Sequence, residues 1–392
     1  MVTAILLVLL ICTFVYITSI LYFKIGWSRT PYFYASSIIP NTKLSVIIPV
    51  RNESKQIQAC IESILHQSYP KHLYEIIVVD DFSTDDTVSI VKKYSEVKLI
   101  SLQDFVLDKI NSYKKKAIEI AIQHSSGEVI VTTDGDCTVK ENWLQTIASF
   151  YESTHANFIA MPVLIDQTSA NTVSFFTRLL QRFQSLDFMT LQGITGAAVS
   201  SKSMSMCNGA NMAYTKKAFF AVDGFKGIDA IASGDDMLLM HKINKQEPNK
   251  VFFLKSKDVI VQTQPVSSIG EFMNQRIRWA SKADKYDDKR IIAVLAMVYL
   301  FNVILLVLPI LIFLFNIQYT IYNLSIIEIF VLVLVLKTIV ELFFLASVAS
   351  FFDRLKWLIW FPFLQPFHIV YTVVAGWLGK FGQYQWKGRT VK

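Results

Sequence analysis

The sequence predicts an α/β domain with a mostly parallel sheet, flanked by transmembrane helices. Three observations predict it. Between roughly residues 43 and 288, short β-branched runs alternate with stretches whose apolar residues recur at helical spacing. Long apolar runs occupy the two ends of the 392-residue chain. Acidic groups follow strand-like runs at Asp80-Asp81 and Asp134-Gly135-Asp136, and open parallel sheets hold their ligands beyond the carboxyl ends of strands.

Residues 43–49 (Lys-Leu-Ser-Val-Ile-Ile-Pro) read as a buried strand, too short and too β-branched for a helix. Over 55–67, Ile57, Ile61, Ile64 and Leu65 recur at helical spacing. Residues 75–79 are the next strand, 88–94 lie in a helix, and 98–102 form a weak strand. A helix over 114–124 and a strand over 128–133 follow. After Trp143 the alternation loosens. Residues 172–191 carry an amphipathic stripe (Phe175, Phe176, Leu179, Leu180, Phe183, Leu186), with Arg178 and Arg182 on the same helix. Core and membrane surface are equal readings of such a stripe.

A soluble domain of about 200–250 residues leaves the rest of the chain to membrane segments. Composition agrees: 53% hydrophobic, 13% aromatic and 18% charged residues. Residues 1–23 are uncharged and then meet Lys24 and Arg29. Without a basic start or a small-residue cleavage pattern they read as an uncleaved anchor. Residues 291–327 are uncharged, 329–352 carry Lys337 and Glu341, and 355–378 are interrupted by Pro362 and Pro366. The net charge of +7 does not demand nucleic acid. Lys24, Arg29, Lys282, Lys285, Lys289 and Arg290 gather beside the spans, where they meet anionic headgroups and set orientation. That bias puts the middle domain in the cytoplasm. Cys12, Cys60, Cys137 and Cys207 share no metal or redox spacing, which fits a reduced compartment.

In Asp134-Gly135-Asp136 two carboxylates stand two residues apart on extended chain and can point to one side. Gly135 lets the backbone approach a ligand, and hard oxygen donors suit Mg2+ or Mn2+. An Asp-Gly hairpin turn is the commonplace alternative. An EF-hand is excluded, because its glycine and final glutamate positions hold Val139 and Gln145. Helix capping by Ser83 or Thr84 leaves the paired acids Asp80-Asp81 unexplained; these suit the edge of a base or a ribose. Asn52 and Glu53, just after Pro49, lie at the neighbouring strand end. Lys114, Lys115 and Lys116 open a helix against its dipole, which hints at an anionic partner. Ser233-Gly234-Asp235-Asp236 precedes a helical run, where acids are favourable anyway. Gln275-Arg276-Ile277-Arg278-Trp279 precedes the second span, where interfacial Arg and Trp are common anchors.

The ordered set resembles the family 2 glycosyltransferases, over roughly 44–279. The membrane-anchored members are most similar: polysaccharide synthases and ceramide or other lipid glycosyltransferases. Its opening, Ser-Val-Ile-Ile-Pro-Val-Arg-Asn-Glu, is among the family's most specific strings, and Gln275, Arg278 and Trp279 match Q-x-x-R-W. The resemblance implies a Rossmann-like GT-A domain. It implies that Asp81, helped by Glu53 and Asp80, holds uridine or another nucleoside, with Pro49 and Asn52 beside it. It places Lys114 near the phosphates and makes Asp134 and Asp136 the metal motif. Asn208-Gly209-Ala210-Asn211 resembles the acceptor-side loop, with Asn211 its candidate residue. By position Asp236 is the general base, while Asp235 stands where relatives often carry Glu. Arg278 would meet the diphosphate and Trp279 the sugar or acceptor. Such members invert the anomeric centre in one displacement.

The implied partners are a nucleotide-sugar donor, a lipid or lipid-linked acceptor and the membrane, with no nucleic acid. The expected organisation is an anchor (1–24), a linker (25–42), the GT-A domain (43–265), an interfacial segment (266–290), a transmembrane region (291–379) and a basic tail (380–392). One span before the domain and two or three after it favour single-sugar addition over polymer extrusion. A processive synthase and a non-catalytic nucleotide-sugar-binding protein are the alternatives; a transporter would need more spans. Pro362 and Pro366 are expected to break the last segment into a re-entrant one. That would return the tail, with Trp386, Lys387 and Arg389, to the cytoplasmic face.

Overall fold

A computed structural model of the chain describes every residue except Met1, Ser37, 107–109, 167–173, Ser205, 232–233, 283–285, Asp287, Tyr322, Gln383, 387–388 and Lys392. Ser233, Lys285 and Lys387, invoked above, therefore lie outside the described residues. The described helices are α1 (Val2–Arg29), α2 (Ile57–Leu65), α3 (Thr87–Val91), α4 (Tyr113–Gln123), α5 (Trp143–Thr154) and α6 (Phe175–Ser200). They continue with α7 (Lys216–Ala221), α8 (Met237–Gln246), α9 (Ile269–Ala280), α10 (Lys289–Leu314), α11 (Ile326–Phe351) and α12 (Phe361–Phe381). The chain divides into two compact units, one of Arg29–Thr168 and Thr195–Pro265, the other of Met1–Ser28, Ser169–Ile194 and Val266–Lys392.

The first unit is built on a seven-stranded sheet of order β3-β2-β1-β4-β7-β5-β8. Its strands are β1 (Leu44–Val50), β2 (Tyr74–Asp80), β3 (Val97–Ser101), β4 (Val129–Thr132), β5 (Phe158–Ala160), β7 (Met212–Thr215) and β8 (Val251–Phe253). A separate parallel pair joins β6 (Val163–Ile165) to β9 (Val261–Thr263). β1 to β4 are parallel, and their apolar runs are buried because helices cover both faces. The expectation of a mostly parallel sheet needs one amendment: β7 runs antiparallel to both β4 and β5.

The chain passes from β1 to β2 and β3 on one side, then returns to β4 on the other. The strand order thus reverses between β1 and β4, the kind of crevice in which such sheets hold ligands. Pro49 helps to open it. β1 pairs with β4 only from Leu44 to Ile47, where Ile47 meets Thr132. Ile47 also accepts the Thr133 N–H, so residue 49, two further along, faces the same side and has no donor to give. The two strands part there.

The second unit is helical. Among its described residues four helices are long and apolar enough to cross a membrane: Thr3–Arg29, Lys289–Leu314, Ile326–Phe351 and Leu355–Phe381. Twenty-six residues of helix span about 39 Å, more than the ~30 Å of a hydrocarbon core. α1 continues to Arg29, so the expected linker begins as helix. The expected break at Pro362 and Pro366 is absent. Pro362 sits in the first turn of α12, where the N–H it lacks would have had no helical partner, and Pro366 lies inside a helix that runs on to Phe381. A 3-10 segment, Leu355–Trp360, precedes it. Beyond α12, Tyr384–Trp386 pairs antiparallel with Arg389–Val391. Ser325 and Glu328 close a reciprocal cap on α11. Its two buried charges are neutralised inside the bundle: Lys337 Nζ lies 2.7 Å from Glu341 Oε1 and donates to Gln365, and the Tyr16 hydroxyl donates to Glu341.

Candidate active site

Lys114, on the first turn of α4, organises the site. Its ammonium donates to Asp134 Oδ1 at 2.7 Å, just past β4, and lies 3.2 Å from Asp235 Oδ2, just before α8. Burial alone would lower its pKa. The carboxylates of Asp134 and Asp235 outweigh that and hold the pKa above the ordinary lysine value. Asp236 is the N-cap of α8: its Oδ1 accepts the Met237 N–H at 2.7 Å and its Oδ2 the Gly209 N–H at 3.1 Å. Gly234, at φ +83°, makes the turn into this pair with a backbone conformation that glycine adopts freely.

Gly209 is a close neighbour of all three groups. A β-carbon there would stand 3.1 Å from Asp235 Oδ2, 3.4 Å from Lys114 Nζ and 3.5 Å from Asp236 Cβ. Gly209→Ala is therefore expected to shift these groups by a few tenths of an ångström. It should cost roughly tenfold in kcat at little cost in Tm. Steady-state kinetics beside a melting curve check this; a full loss of folding would show a packing role instead.

Asp134-Gly135-Asp136 is not a hairpin turn, since the chain proceeds through α5 before its next strand. Gly135 packs against β1: a β-carbon would lie 2.9 Å from Val50 Cγ1 and 3.2 Å from Glu53 Cγ. Asp136 accepts from Thr263 Oγ1 at 3.3 Å. Beneath this turn lie two buried thiols that the sequence did not single out. Cys60 Sγ is 3.6 Å from Asp134 O, and Cys137 Sγ is 3.5 Å from Asp136 Oδ1. Burial, reinforced by Asp136 and Asp134, pushes both thiols up, so they are neutral and poor nucleophiles.

Among the described residues no three His, Cys, Asp or Glu side chains are arranged to hold a metal ion. The donor set nevertheless fits one. Two hard carboxylates, Asp134 and Asp136, suit a divalent cation that keeps waters and shares its shell with phosphate.

At the ends of β1 and β2 a second cluster forms. Asp80 and Asp81 are buried; the Asp80 carboxylate accepts the Ser83 N–H at 3.2 Å. Asn52 Oδ1 accepts the Thr84 N–H at 2.8 Å, and Ser83 Oγ accepts the Asn52 N–H at 3.0 Å. Neither Ser83 nor Thr84 caps α3, contrary to expectation. Asp85 binds the Thr87 N–H instead, at 3.1 Å. Partial burial raises the Asp85 pKa, but hydrogen bonds from Thr87 and Ser54 outweigh it and lower the pKa to about 2. Asn52 and Phe82 both take left-handed backbone, φ +53° and +54°. The Phe82 ring meets Tyr113 of α4 edge-on at 5.8 Å.

Asn211 is fully buried, its Nδ2 donating to Pro162 O and Val259 O at 2.7 Å each and its Oδ1 accepting from Trp143 Nε1 at 3.1 Å. Both N–H donors of its amide are thus spent inside the protein. Lys115, grouped in the sequence with Lys114 and Lys116, turns inward. It is buried and donates to Ile228 O and Ile231 O, holding the segment that leads to Asp235 and Asp236. Gln275, Arg278 and Trp279 belong to α9 of the helical unit.

This arrangement of acids and lysine at the switch point agrees with what comparison finds. Residues 45–220 match the family model Glycosyl transferase family 2. The chain carries a glycosyltransferase family 2 domain. Glycosyltransferase AglE of Haloferax volcanii is 33% identical over 116 residues, 30% of this chain and 38% of its own. Poly(ribitol-phosphate) beta-N-acetylglucosaminyltransferase TarS of Staphylococcus aureus is 32% identical over 117 residues, 30% of this chain and 20% of its own. The chain thus covers well under half the length of either relative. Mannosyltransferase PcManGT of Pyrobaculum calidifontis, solved with GDP-Man and Mn2+, shares the fold. Its TM-score is 0.54 at 15% identity, over 97% of this chain and 99% of that one.

Proposed function

We propose that this glycosyltransferase inverts configuration as it moves a sugar from a nucleoside diphosphate donor, a UDP-sugar, to the hydroxyl of a lipid or lipid-linked acceptor. The observation that carries this reading is the Lys114 ammonium held between Asp134 and Asp235, one residue from Asp236. Such a cation suits a departing diphosphate, and a neighbouring carboxylate suits the proton of an attacking hydroxyl. In this reading Asp236 takes that proton. Asp80, Asp81, Asn52, Glu53 and Pro49 form the nucleoside end. Arg278, with Gln275, meets the diphosphate, and Trp279 stacks on the sugar or acceptor. The buried neutral thiols of Cys60 and Cys137 offer no covalent nucleophile.

Among the described residues four helices are long and apolar enough to cross a membrane, which favours a lipid acceptor. Lys24, Arg29, Lys282, Lys289 and Arg290 beside the spans favour a cytoplasmic domain. The test is the full chain in lipid nanodiscs with a panel of nucleotide sugars, following released diphosphate with membrane lipids present. Release that needs lipid and yields a singly glycosylated product supports the reading. Long polymer formed without a lipid primer would make the chain a processive synthase instead. Binding of donor without release would leave a binding protein.

Asp134 and Asp136 would hold Mg2+ or Mn2+, which would offset diphosphate charge when bound. Excess chelator is expected to abolish transfer, and Asp136→Ala to weaken metal-dependent donor binding about tenfold or more. Isothermal titration with and without Mn2+ checks the second point. Full activity in chelator would sink the metal assignment.

A further inference from the structure

Arg276 is one of the two positions inside Gln275-Arg276-Ile277-Arg278-Trp279 that Q-x-x-R-W does not specify, yet it is the most buried of the five. Its side chain is 4% exposed, and its Nη2 lies 2.9 Å from Asp187 Oδ2 of α6, itself 5% exposed. Asp187 Oδ1 accepts from the Tyr371 hydroxyl of α12 at 2.5 Å and has His368 Nε2 at 3.9 Å. The guanidinium also lies over the rings of Trp279, at 4.2 Å, and Phe272, at 4.8 Å. One turn earlier on α6, fully buried Gln184 bonds the backbone of Val266 twice, at 2.9 and 3.0 Å. Val266 stands two residues before Ser268, whose side chain and Glu271 form the reciprocal cap of α9. Gln184 and Asp187, three apart, share one face of α6. α6 therefore grips α9 both just before its start and at its eighth residue.

This pair is a poor choice for stability alone. Buried ion pairs are often replaced by apolar groups without loss, and among the described residues Arg276 Nε and Nη1 have no hydrogen-bond acceptor. The Asp187 carboxylate and the two rings offset only part of the cost of burial. What the pair supplies is direction. Successive helical residues turn by about 100°, so Arg278 projects about 200° away from Arg276. Gln275 and Arg278, three apart, share that outer face, while Trp279 stacks back on Arg276.

We infer that Asp187 and Arg276 are a positioning pair that sets the rotation of α9 and hence the aim of Gln275, Arg278 and Trp279, an inference that rests on the role proposed for those three residues. Neither residue touches substrate.

The test uses the full chain in nanodiscs and two readouts, kcat for transfer and amide hydrogen exchange over 269–280. Asp187→Asn is expected to lower kcat about tenfold or more, leave donor KM within about twofold, and raise exchange over 269–280. Asp187→Glu is expected to recover part of both. Arg276→Lys, which keeps charge but loses the planar fork, should resemble Asp187→Asn. Phe351→Ala is the control for mere destabilisation: it empties a buried position that packs on Trp27, and should lower Tm without lowering kcat. Unchanged exchange in Asp187→Asn, or a kcat loss that only follows Tm as in Phe351→Ala, overturns the pair. Raised exchange with unchanged kcat overturns it too where Trp279→Ala is inactive. Where Trp279→Ala is fully active, the role proposed for Q-x-x-R-W has failed, and the pair's catalytic meaning with it.

Discussion

Asp236→Asn is expected to reduce sugar transfer by about 10²- to 10⁴-fold while nucleotide binding stays near normal. The size follows from the loss of a general base. The specificity follows from the geometry. Asp236 accepts two backbone N–H groups, from Met237 and from Gly209. An asparagine keeps the shape and one acceptor oxygen and is itself a favoured helix cap. One hydrogen bond is lost, a cost of about 1 kcal/mol, too little to unfold a domain. A fall of several orders in kcat with a small change in Tm would therefore report chemistry. Asp235→Asn should behave differently. It removes one of the two carboxylates on Lys114, so donor binding and transfer should weaken together. Titration calorimetry for the nucleotide and kcat for diphosphate release separate the two. If Asp235→Asn is the selectively dead variant and Asp236→Asn stays active, the base is Asp235.

The half of the sheet built from βαβ units was legible because each strand there is a run of apolar β-branched residues bounded by charge or proline. β5 and β7 were not. They have three and four residues, too few for any period, and only pairing with longer neighbours makes them strands. The carboxylates at strand ends were legible for the same reason that the strands were. Their neighbours were not. Lys114, Lys115 and Lys116 look equivalent in sequence, but successive helical residues point about 100° apart. One meets Asp134 and Asp235, one reaches the carbonyls of Ile228 and Ile231, and one pairs with Glu119. The surroundings of Asn211 were hidden for the converse reason. Its string resembles a ligand loop, and whether an amide is spent inside the protein depends on Trp143, Pro162 and Val259, residues distant in sequence. Lys337 and Glu341 in an apolar run were visible as an i,i+4 pair; their partners Tyr16 and Gln365, from other helices, were not.

Lys114→Met is expected to lower transfer by about 10²- to 10³-fold, the size seen when one preorganised charge is removed from a developing anion. Folding alone would not produce what accompanies it. In the native site Asp134 and Asp235 share one ammonium, at 2.7 and 3.2 Å. Methionine fills similar volume and leaves both carboxylates without it, so the site becomes more negative by one charge. A divalent cation at Asp134 and Asp136 then meets less competition and more attraction. Mn2+ should consequently bind tighter to the variant, by several-fold in a titration without nucleotide, even as transfer falls. Donor binding should weaken, since the diphosphate loses a cation and faces the added negative charge. Lys114→Arg should restore little: a planar fork is a different shape from a compact ammonium, and Gly209 leaves scant room, its would-be β-carbon standing 3.4 Å from Nζ. Opposite movement of metal affinity and transfer rate would mark Lys114 as the counter-charge of the diphosphate. A parallel fall of metal affinity, donor affinity and Tm would mean that the lysine serves to hold Asp134 and Asp235 in place, and that the charge on the leaving group is met elsewhere.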